Sequence, residues 1–513
     1  MEDNQSFREE CDLIGKKKIP SNALYGINAE RAIENFNISG NKMSEYPYLI
    51  KGFALVKKAA AQANYALGGL SKEKSEAIIK ACDELYEGKL KEQFPIDMIQ
   101  GGAGTSCNMC ANEVICNRAL QILGKKIGEY KFCDPHDDVN RSQSTNDAYP
   151  SACKLGIYLH SLELEKTVEK LILSLDKKKE EFKSIIKIGR TQLQDAVPMT
   201  LGQTFGAYSS SIKDALKLIK ETSEKLLEIN MGATAIGTGI CSEPGYSEKV
   251  LEFMKKNTGF NIKISEDLIY ATSDTSCYVH YSSSLKNLSL KLIKICNDLR
   301  LLSSGPRCGI GEICLPKLQP GSSIMPGKVN PVIPEVVGQV CYKVIGNDTT
   351  VMLGSENGQL ELNVFEPVIV YSIAESIKLL TNGINCLIEK CIDGIKANEK
   401  RCNYLMRNST ALVTAFNPYI GYDHSTELCK ECLETDKGIY DLILEKKILS
   451  KEQVNLILKP ENLIKPVKLD IKIDKKKIYS MHLNKIKVFL KNIISELNNL
   501  LYVKKNYLFI INK

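Results

Sequence analysis

One eleven-residue segment of the chain, residues 321–331, carries an unusual combination of groups that can do chemistry. Its sequence is Gly-Ser-Ser-Ile-Met-Pro-Gly-Lys-Val-Asn-Pro, with two adjacent hydroxyls, one lysine and one asparagine. The two prolines and two glycines exclude a regular helix or strand, so we expect a mobile loop. Hydroxyls, main-chain N–H groups and a cation in one loop can bind a carboxylate and stabilise negative charge that develops beside it. On composition alone, a turn-rich linker is an equally good interpretation.

Three further short segments are rich in hydroxyl and amide side chains. They are 101–106 (Gly-Gly-Ala-Gly-Thr-Ser), 142–147 (Ser-Gln-Ser-Thr-Asn-Asp) and 189–195 (Gly-Arg-Thr-Gln-Leu-Gln-Asp). Together with 321–331, and in this order, they resemble the site segments of the fumarase/aspartase superfamily, whose members eliminate a group β to a carboxylate and leave fumarate. The similarity extends from about Asp12 to about Leu463, which is most of the chain.

Elimination next to a carboxylate places one clear demand on a site. The C–H bond that loses its proton is only weakly acidic, so the neighbouring carboxylate must take up the charge and needs many preorganised donors. The resemblance implies that hydroxyl groups are these donors, namely those of Thr105, Ser144, Thr145 and Ser323. It also implies that the other carboxylate is held by Thr191, Lys328 and Asn330. The leaving ammonium group is implied to be held by Asn146 and Gln192.

The resemblance assigns the role of base to Ser322, the first serine of the pair. A serine hydroxyl is a poor base unless its alkoxide is strongly stabilised. The main-chain N–H groups around Ile324 and Met325, together with nearby Lys328, can supply that stabilisation. We expect the loop to close over substrate, to exclude water and to bring Ser322 to the carbon that loses its proton.

Gln192 is the most informative departure from the pattern of the hydratases in this superfamily. Members that act on hydroxy acids usually carry histidine here, with a glutamate at the position of Glu335. Hydroxide needs a proton in order to leave, whereas an ammonium group already carries its own. Gln192 therefore favours an ammonia-lyase. The flanking residues 191–203 and 330–348 resemble aspartate ammonia-lyases closely, and the apolar Val329 indicates a small substrate.

The resemblance thus implies the reversible anti elimination of ammonia from L-aspartate, giving fumarate through a stabilised carbanion of enediolate character. The rival within enzymes is a class II fumarate hydratase. The rival from another class is a catalytically silent structural oligomer, like the lens crystallins related to this superfamily. The presence of Ser322, Lys328 and Asn330 argues against the silent oligomer.

Composition is typical of a globular protein, with 43% hydrophobic and 25% charged residues in 513. No apolar run approaches the roughly 20 residues of a membrane span, and the first ten residues are acidic and polar, unlike a secretory signal. We therefore predict a soluble cytoplasmic protein without a membrane partner. The net charge of +7 is spread over short lysine runs without interleaved aromatics, which favours a solvated surface over a nucleic-acid interface.

Eighteen cysteines include two Cys-x-x-Cys pairs, Cys107/Cys110 and Cys429/Cys432. Four such thiolates can in principle bind a metal, but both pairs lie in segments with helical character, where a free cysteine is a good small core residue. We therefore assign no metal ligands. The resemblance implies no organic cofactor. A divalent ion such as Mg²⁺ activates some members, and no ligand cluster in the sequence indicates a site for it.

Helical periodicity dominates after about residue 150 and predicts a mainly α fold. Five long helices are expected, at Leu155–Phe182, Ser209–Met231, Ser283–Ser304, Glu335–Asp348 and Glu366–Asn382, the last ending before Gly383. The Gly-rich segment 232–239 is expected to follow a helix, unlike a nucleotide-binding fingerprint. The resemblance implies a three-domain fold whose long central helices assemble into the core of a D2 homotetramer, with each site built from three subunits.

Four regions are predicted along the chain. They are an N-terminal lyase domain (1–143), a central helix-bundle domain (144–396), a small C-terminal domain (397–466) and a Lys-, Ile- and Asn-rich tail (467–513). The tail has amphipathic helical character around Ile486–Leu501. Two interpretations of it remain open: it packs on the small domain, or it is partly disordered.

Overall fold

The computed structural model describes residues 6–463, 465–471 and 490–500. It is mainly helical, which confirms the predicted fold class. Between residues 6 and 463 the α-helices are α1 (Ile27–Asn35), α2 (Pro47–Ala66), α3 (Lys72–Tyr86), α4 (Thr105–Ile122), α5 (Thr145–Glu181), α6 (Leu201–Ser223), α7 (Tyr246–Thr258), α8 (Leu268–Ser273), α9 (Ser276–Leu302), α10 (Val332–Glu356), α11 (Glu366–Lys390), α12 (Glu399–Asn408), α13 (Asn417–Ile420), α14 (Tyr422–Thr435), α15 (Ile439–Glu445), α16 (Lys451–Ile457) and α17 (Pro460–Leu463).

The strands of the described ranges are short and form four two-stranded ladders. Three ladders are antiparallel: β1 (Phe7–Asp12) with β2 (Gly15–Pro20), β3 (Ile186–Thr191) with β4 (Gln194–Thr200), and β7 (Ile313–Cys314) with β8 (Lys396–Ala397). The pair β5 (Glu228–Ile229) and β6 (Lys263–Ile264) is parallel. Segment 232–239 follows β5, so the prediction that it follows a helix directly was wrong.

All five predicted long helices are present, with different bounds. Helix α5 begins at Thr145, ten residues before the predicted start, and continues through Pro150. Proline at this position cannot donate to the carbonyl of Asn146, one turn earlier. The side chain of Asn230 supplies the missing donor, with Nδ2 3.0 Å from that oxygen. The hydrogen bond from Asn230 therefore allows α5 to begin before Pro150 and not after it.

Helix α11 shows a second difference in bounds. It continues through Gly383 to Lys390, so Gly383 is not a stop signal. A Cβ at this glycine would lie 3.4 Å from Cγ1 of Val340, so the glycine faces α10 at about van der Waals distance. Helix α10 extends beyond both of its predicted limits, whereas α9 begins seven residues before its predicted start and ends two residues before its predicted end. Helix α6 begins and ends earlier than predicted.

The chain divides into two compact units. The first contains the chain up to Ser174, Tyr208–Leu301 and Pro316–Gly394. In it, α2 crosses α5 at glycines: a Cβ on Gly52 would lie 2.0 Å from the carbonyl oxygen of Ala152, and one on Gly156 would lie 2.7 Å from that of Tyr48. Because the two helices approach so closely, Lys57 of α2 can form hydrogen bonds with Asn140 and Gln143, which lie just before α5.

The second unit contains Leu175–Ala207, Leu302–Leu315 and the chain from Ile395. Its core joins the β3–β4 hairpin to the C-terminal helices through one apolar cluster, which includes Ile188, Leu412, Phe416, Ile439 and Ile443. This cluster gives the hairpin a firm base.

The four-region division of the sequence stays a prediction. In the tail, residues 490–500 are helical, and the rest of the predicted Ile486–Leu501 helix lies outside the described residues. Among the helices that the structure describes, none combines the length and the apolar character needed to cross a membrane.

Candidate functional site

The first site segment turns sharply into α4 and places Thr105 at its first position. Gly104 precedes the helix with φ 88°, and a Cβ there would lie 2.4 Å from Cγ of Tyr149. Only glycine allows this approach, which brings the start of α4 against the first turns of α5. Thr105 is exposed. One turn later, Asn108 Nδ2 donates to Thr145 Oγ1 at 3.3 Å, so the segments of Thr105 and Thr145 meet.

The second segment is held by a buried carboxylate, Asp147. Its Oδ1 accepts from the N–H of Ser144 at 2.9 Å, and its Oδ2 accepts from the N–H groups of Gly232 and Thr234 at 3.1 Å each. Burial raises the pKa of Asp147 to about 6, against the lowering effect of these hydrogen bonds. The carboxylate thus ties the start of α5 to the Gly-rich segment 232–239.

Asn146 is fixed by the same Gly-rich segment. Its Nδ2 donates to the carbonyl of Ala235 at 2.7 Å, while its N–H donates to Ser144 Oγ at 3.3 Å. The hydroxyls of Ser144 and Thr145 are part-buried and lie on the same turn. These contacts give the side chain of Asn146 one defined orientation.

A fully buried lysine on α2 supports the turn before this segment. Lys57 Nζ lies 3.0 Å from both Asn140 Oδ1 and Gln143 Oε1. Burial lowers the pKa of Lys57 to about 7, although the charge of Asp147 acts in the opposite direction. Asn140 Oδ1 also accepts from Asn108 at 3.2 Å, so one amide oxygen joins three elements.

The loop 321–331 has no regular secondary structure, as expected, and its hydrogen bonds centre on Ser322. Ser322 Oγ accepts from the N–H of Ile324 at 3.2 Å and from that of Met325 at 2.9 Å. These are the two amides that the sequence analysis named. At the base of the loop, Asn330 Nδ2 donates to the carbonyl of Gly321 at 3.0 Å. Ser323 and Lys328 are exposed.

Thr191 and Gln192 lie at the tip of the β3–β4 hairpin. Thr191 pairs with Gln194, and the two residues between them, Gln192 and Leu193, have φ of 54° and 62°. Positive φ at both central positions defines a type I′ turn, which ordinarily uses Asn-Gly. Two consecutive non-glycine residues in this left-handed backbone conformation cost conformational energy, and strained residues of this kind cluster at functional sites. Thr191 and Gln192 are both exposed.

A buried ion-pair network holds the strand directly before this tip. Arg190 Nη1 lies 2.9 Å from Oε1 of Glu312, and Lys187 Nζ lies 3.2 Å from Oε2 of the same carboxylate, which is 0% exposed. Arg190 immediately precedes Thr191. Glu312 therefore positions the part of the hairpin that carries the two predicted site residues.

The ten predicted site residues fall into three groups. Thr105, Ser144, Thr145 and Asn146 lie together at the starts of α4 and α5; Ser322, Ser323, Lys328 and Asn330 share one loop; Thr191 and Gln192 share the hairpin tip of the second unit. No hydrogen bond between described residues joins the loop to the Ser144–Asn146 segment. Within this chain, each group is preorganised separately.

Sequence reasoning missed three supporting residues: Lys57, Asp147 and Glu312. Lys57 carried a usable signal, because it lies between Phe53 and Ala61 on the apolar stripe of α2, where a charge is out of place. Asp147 is the last residue of the segment 142–147, but no function was predicted for it. Glu312 gave no local signal, since its partners lie more than a hundred residues away.

The structure also bears on metal binding and on the cysteines. No group of three or more His, Cys, Asp or Glu side chains in the described ranges is arranged to hold a metal ion. Both Cys-x-x-Cys pairs are helical, as predicted, on α4 and α14. Burial raises the pKa of Cys107 to about 12, so this thiol stays protonated at neutral pH.

Two family models match the chain. The model described as Lyase matches residues 15–346, and the model described as Fumarase C C-terminus matches residues 412–465. The first match alone covers more than half of the chain and contains all four site segments.

Named relatives match over almost their full length. The chain is 53% identical over 460 residues to the aspartate ammonia-lyase of Helicobacter pylori (strain ATCC 700392 / 26695), covering 90% of this chain and 98% of the relative. The enzyme of that name from Escherichia coli (strain K12) is 50% identical over 464 residues, covering 90% and 97%.

Two solved structures have the same fold. A fumarate lyase:delta crystallin from Brucella melitensis, bound to cobalt, superposes with a TM-score of 0.87 at 47% identity, covering 90% of this chain and all of that one. A class II fumarase from Schistosoma mansoni gives a TM-score of 0.82 at 33% identity, with 90% and 100% coverage.

Proposed function

Since the chain belongs to the Lyase family, we propose that it catalyses the aspartate ammonia-lyase reaction, the reversible anti elimination of ammonia from L-aspartate to give fumarate. The observation that carries this proposal is the near full-length match to aspartate ammonia-lyases at 50–53% identity. The glutamine at position 192 supports it further, because a side chain that cannot titrate serves a leaving group that brings its own proton.

We assign the role of base to Ser322. In the forward reaction its alkoxide takes a proton from the carbon next to one carboxylate, the electron pair moves into that carboxylate, and the enediolate-like dianion forms. The two amides that donate to Ser322 Oγ stabilise the alkoxide before reaction, and the charge of Lys328 in the same loop acts in the same direction. The proton then passes from Ser322 to solvent.

Hydroxyl groups stabilise the dianion in this mechanism. Thr105, Ser144, Thr145 and Ser323 donate to the carboxylate that takes up the charge, and Thr191, Lys328 and Asn330 hold the other one. When the C–N bond breaks, its electron pair leaves with ammonia, and the carbanion pair forms the C=C bond of fumarate. Asn146 and Gln192 orient the ammonium group until that step.

The proposal includes a homotetramer, since the three groups of site residues belong to different parts of the fold. In support of the tetramer, α10 leaves four apolar side chains open to solvent: Val336, Tyr342, Met352 and Leu353 are 43%, 59%, 52% and 50% exposed. Exposed apolar surfaces of this kind usually mark contacts between subunits. Light scattering should give the mass of four 57.1 kDa chains, and a monomer would contradict this part of the proposal.

We further propose a cytoplasmic location and a reaction without an organic cofactor. All eighteen cysteines are free thiols, which suits a reducing compartment. Every step above uses hydroxyls, amides and one lysine of the chain. Turnover with EDTA and with added Mg²⁺ measures activation by a divalent ion separately.

A coupled assay of the purified full-length protein tests the function. We expect release of ammonia and fumarate from L-aspartate, and no malate from fumarate. Malate formation with inert aspartate would make the protein a fumarate hydratase and would mean that Gln192 was misinterpreted. Inactivity toward both substrates in a correctly assembled tetramer would favour the structural oligomer.

A further inference from the structure

A short chain of side-chain amides leads from the interior of the first unit to Thr145, one of the proposed substrate-binding residues. It begins at Asn140, in the turn before α5, and continues through Asn108 on α4, which is 1% exposed. Asn108 Nδ2 lies 3.2 Å from Asn140 Oδ1 and 3.3 Å from Thr145 Oγ1. Each amide has a donor end and an acceptor end, so its orientation decides whether the next group must accept or donate.

Asn140 can take only one of its two amide orientations. Its Nδ2 donates to the main-chain carbonyl of Gln143 at 3.1 Å, and its Oδ1 lies 3.0 Å from the amino group of Lys57. In the reversed orientation, the amide oxygen would meet the carbonyl oxygen of Gln143, and the NH₂ group would meet the N–H groups of Lys57. Asn140 therefore presents an oxygen to Asn108.

This oxygen in turn fixes the orientation of Asn108. The NH₂ group of Asn108 must face Asn140 Oδ1, because two amide oxygens in contact would repel each other. The NH₂ group carries two hydrogens, and the second one is donated to Thr145 Oγ1. In this contact Thr145 is therefore the acceptor and not the donor.

The single hydrogen of the Thr145 hydroxyl is left for another partner. A threonine inside a helix often donates to the carbonyl one turn earlier. Thr145 is the first residue of α5 and is part-buried, and no described residue accepts a hydrogen bond from its hydroxyl. A hydroxyl whose hydrogen is already directed at a carboxylate stabilises charge there without having to reorient during the reaction.

We propose that Asn108 is a positioning residue of the lyase reaction, which directs the hydroxyl hydrogen of Thr145 to the substrate carboxylate that takes up the charge. The inference rests on the proposed function, in which Thr145 binds this carboxylate. Asn108 does not touch substrate and acts only through Thr145. Its effect grows as negative charge develops on the carboxylate, so it acts more on kcat than on KM.

A double-variant cycle with Thr145→Val tests this role. Asn108→Leu nearly keeps the shape of the side chain and removes the donor. It should lower kcat for aspartate about tenfold, the loss that one hydrogen bond produces, and should raise KM by a smaller factor. In the Thr145→Val background the same change should have no further effect, because no hydroxyl is left to direct. Thr145→Ser keeps the hydroxyl and should stay sensitive to Asn108→Leu.

Asn112 provides the matched control. It lies one turn after Asn108 on α4, is 0% exposed and also donates to Asn140 Oδ1, at 3.1 Å, but it makes no hydrogen bond to Thr145. Asn112→Leu should therefore stay close to wild type in kcat. Equal losses in Asn108→Leu and Asn112→Leu would overturn the proposal. So would a loss in Asn108→Leu that persists in the Thr145→Val background, since a purely structural role does not depend on the hydroxyl.

Should Asn108→Leu fail to assemble, Asn108→Asp gives the same cycle with an unchanged shape. A carboxyl oxygen at this position accepts from Thr145 and draws the hydroxyl away from substrate. We expect a loss of kcat that again disappears in the Thr145→Val background, and a loss that persists there would contradict the proposal.

Calorimetric binding of succinate, a dicarboxylate that cannot eliminate ammonia, separates this inference from the proposed function. An inactive wild type that binds succinate, with the same dependence on Asn108 and Thr145, would contradict only the lyase activity. A wild type that releases ammonia, with independent effects of the two residues, would contradict only the role of Asn108. A wild type that neither turns over aspartate nor binds succinate would overturn both.

Discussion

Asn330 donates a hydrogen bond of 3.0 Å to the carbonyl of Gly321, nine residues earlier, and so closes the base of the loop that carries Ser322. A Cβ on Gly321 would lie 2.8 Å from Cγ and from the main-chain nitrogen of Asn330. The loop can therefore keep its closed base only with glycine at this position.

Gly321→Ala should open the base of the loop. Because Asn330 must move, we expect a higher KM for aspartate and a kcat lower by about tenfold, the loss that one hydrogen bond produces. Steady-state kinetics measure both constants. Gln319→Ala, an exposed side chain just before the loop, is the control and should stay close to wild type. Equal effects in the two variants would remove any special importance from the Gly321–Asn330 contact.

Ser322→Ala should lower kcat by roughly 10²–10⁴-fold, the range for loss of a general base. Ser323→Ala, its neighbour in the same loop, should act chiefly through weaker binding and transition-state stabilisation, with a smaller loss. Single-turnover measurements of fumarate absorbance separate chemistry from binding. If Ser322→Ala turns over within tenfold of wild type, another group takes the proton.

Replacing either central residue of the hairpin turn by glycine should relieve backbone strain. A left-handed residue costs about 1–2 kcal/mol, and glycine returns about 0.5–1 kcal/mol of this as unfolded-chain entropy. Gln192→Gly and Leu193→Gly should therefore each stabilise the hairpin slightly, measured as a higher melting temperature. Only Gln192→Gly should lose turnover, because its amide is proposed to meet the ammonium group. Full activity in Gln192→Gly would contradict that role.

Lys57 should make stability depend on pH. Its pKa is about 7 in the folded protein and 10.5 when unperturbed, so between these values the unfolded chain holds a proton that the folded chain lacks. The contribution of this group to the free energy of unfolding therefore rises with pH across that window, by up to about 1.4 kcal/mol per pH unit. Buried thiols titrate there with the opposite sign, so the informative quantity is the difference between wild type and Lys57→Met.

Urea unfolding midpoints from pH 7 to pH 10 measure this difference. The free energy of unfolding of the wild type minus that of Lys57→Met should increase as the pH rises. A constant gap would mean that the pKa of Lys57 is unperturbed. At every pH the variant should also lose turnover, because Asn140 and Gln143 lose the donor that fixes the turn before Ser144.

Glu312→Gln should destabilise the second unit strongly. It leaves two cations, Lys187 and Arg190, without a carboxylate in a buried environment, at a cost of about 3–5 kcal/mol. Chemical unfolding measures the loss, and turnover should fall because Arg190 adjoins Thr191. The exposed ion pair of Lys437 and Glu445 provides the control: Glu445→Gln should leave the unfolding curve unchanged. A small effect of Glu312→Gln would show that the hairpin is held by its apolar base alone.

The sequence predicted local features of the site well and distant ones poorly. Ser322 and its two amides lie within four residues, so loop composition was enough to anticipate their contact. The early start of α5 was missed because a side chain 84 residues away, Asn230, satisfies the carbonyl that Pro150 leaves open. The strained turn at Gln192 was also missed, since its residue types are not those that ordinarily form a type I′ turn.

The hydrogen bond from Asn146 to the carbonyl of Ala235 has a chemical consequence for substrate choice. Because the NH₂ group of the side chain donates to a main-chain oxygen, the C=O group is the end that is available to the substrate. An ammonium group can only donate hydrogen bonds, and the C=O group can accept one of them. A hydroxyl can donate to the same oxygen, so the orientation that Ala235 imposes does not exclude it; the orientation favours the ammonium group because the positive charge is attracted to the oxygen end of the amide dipole.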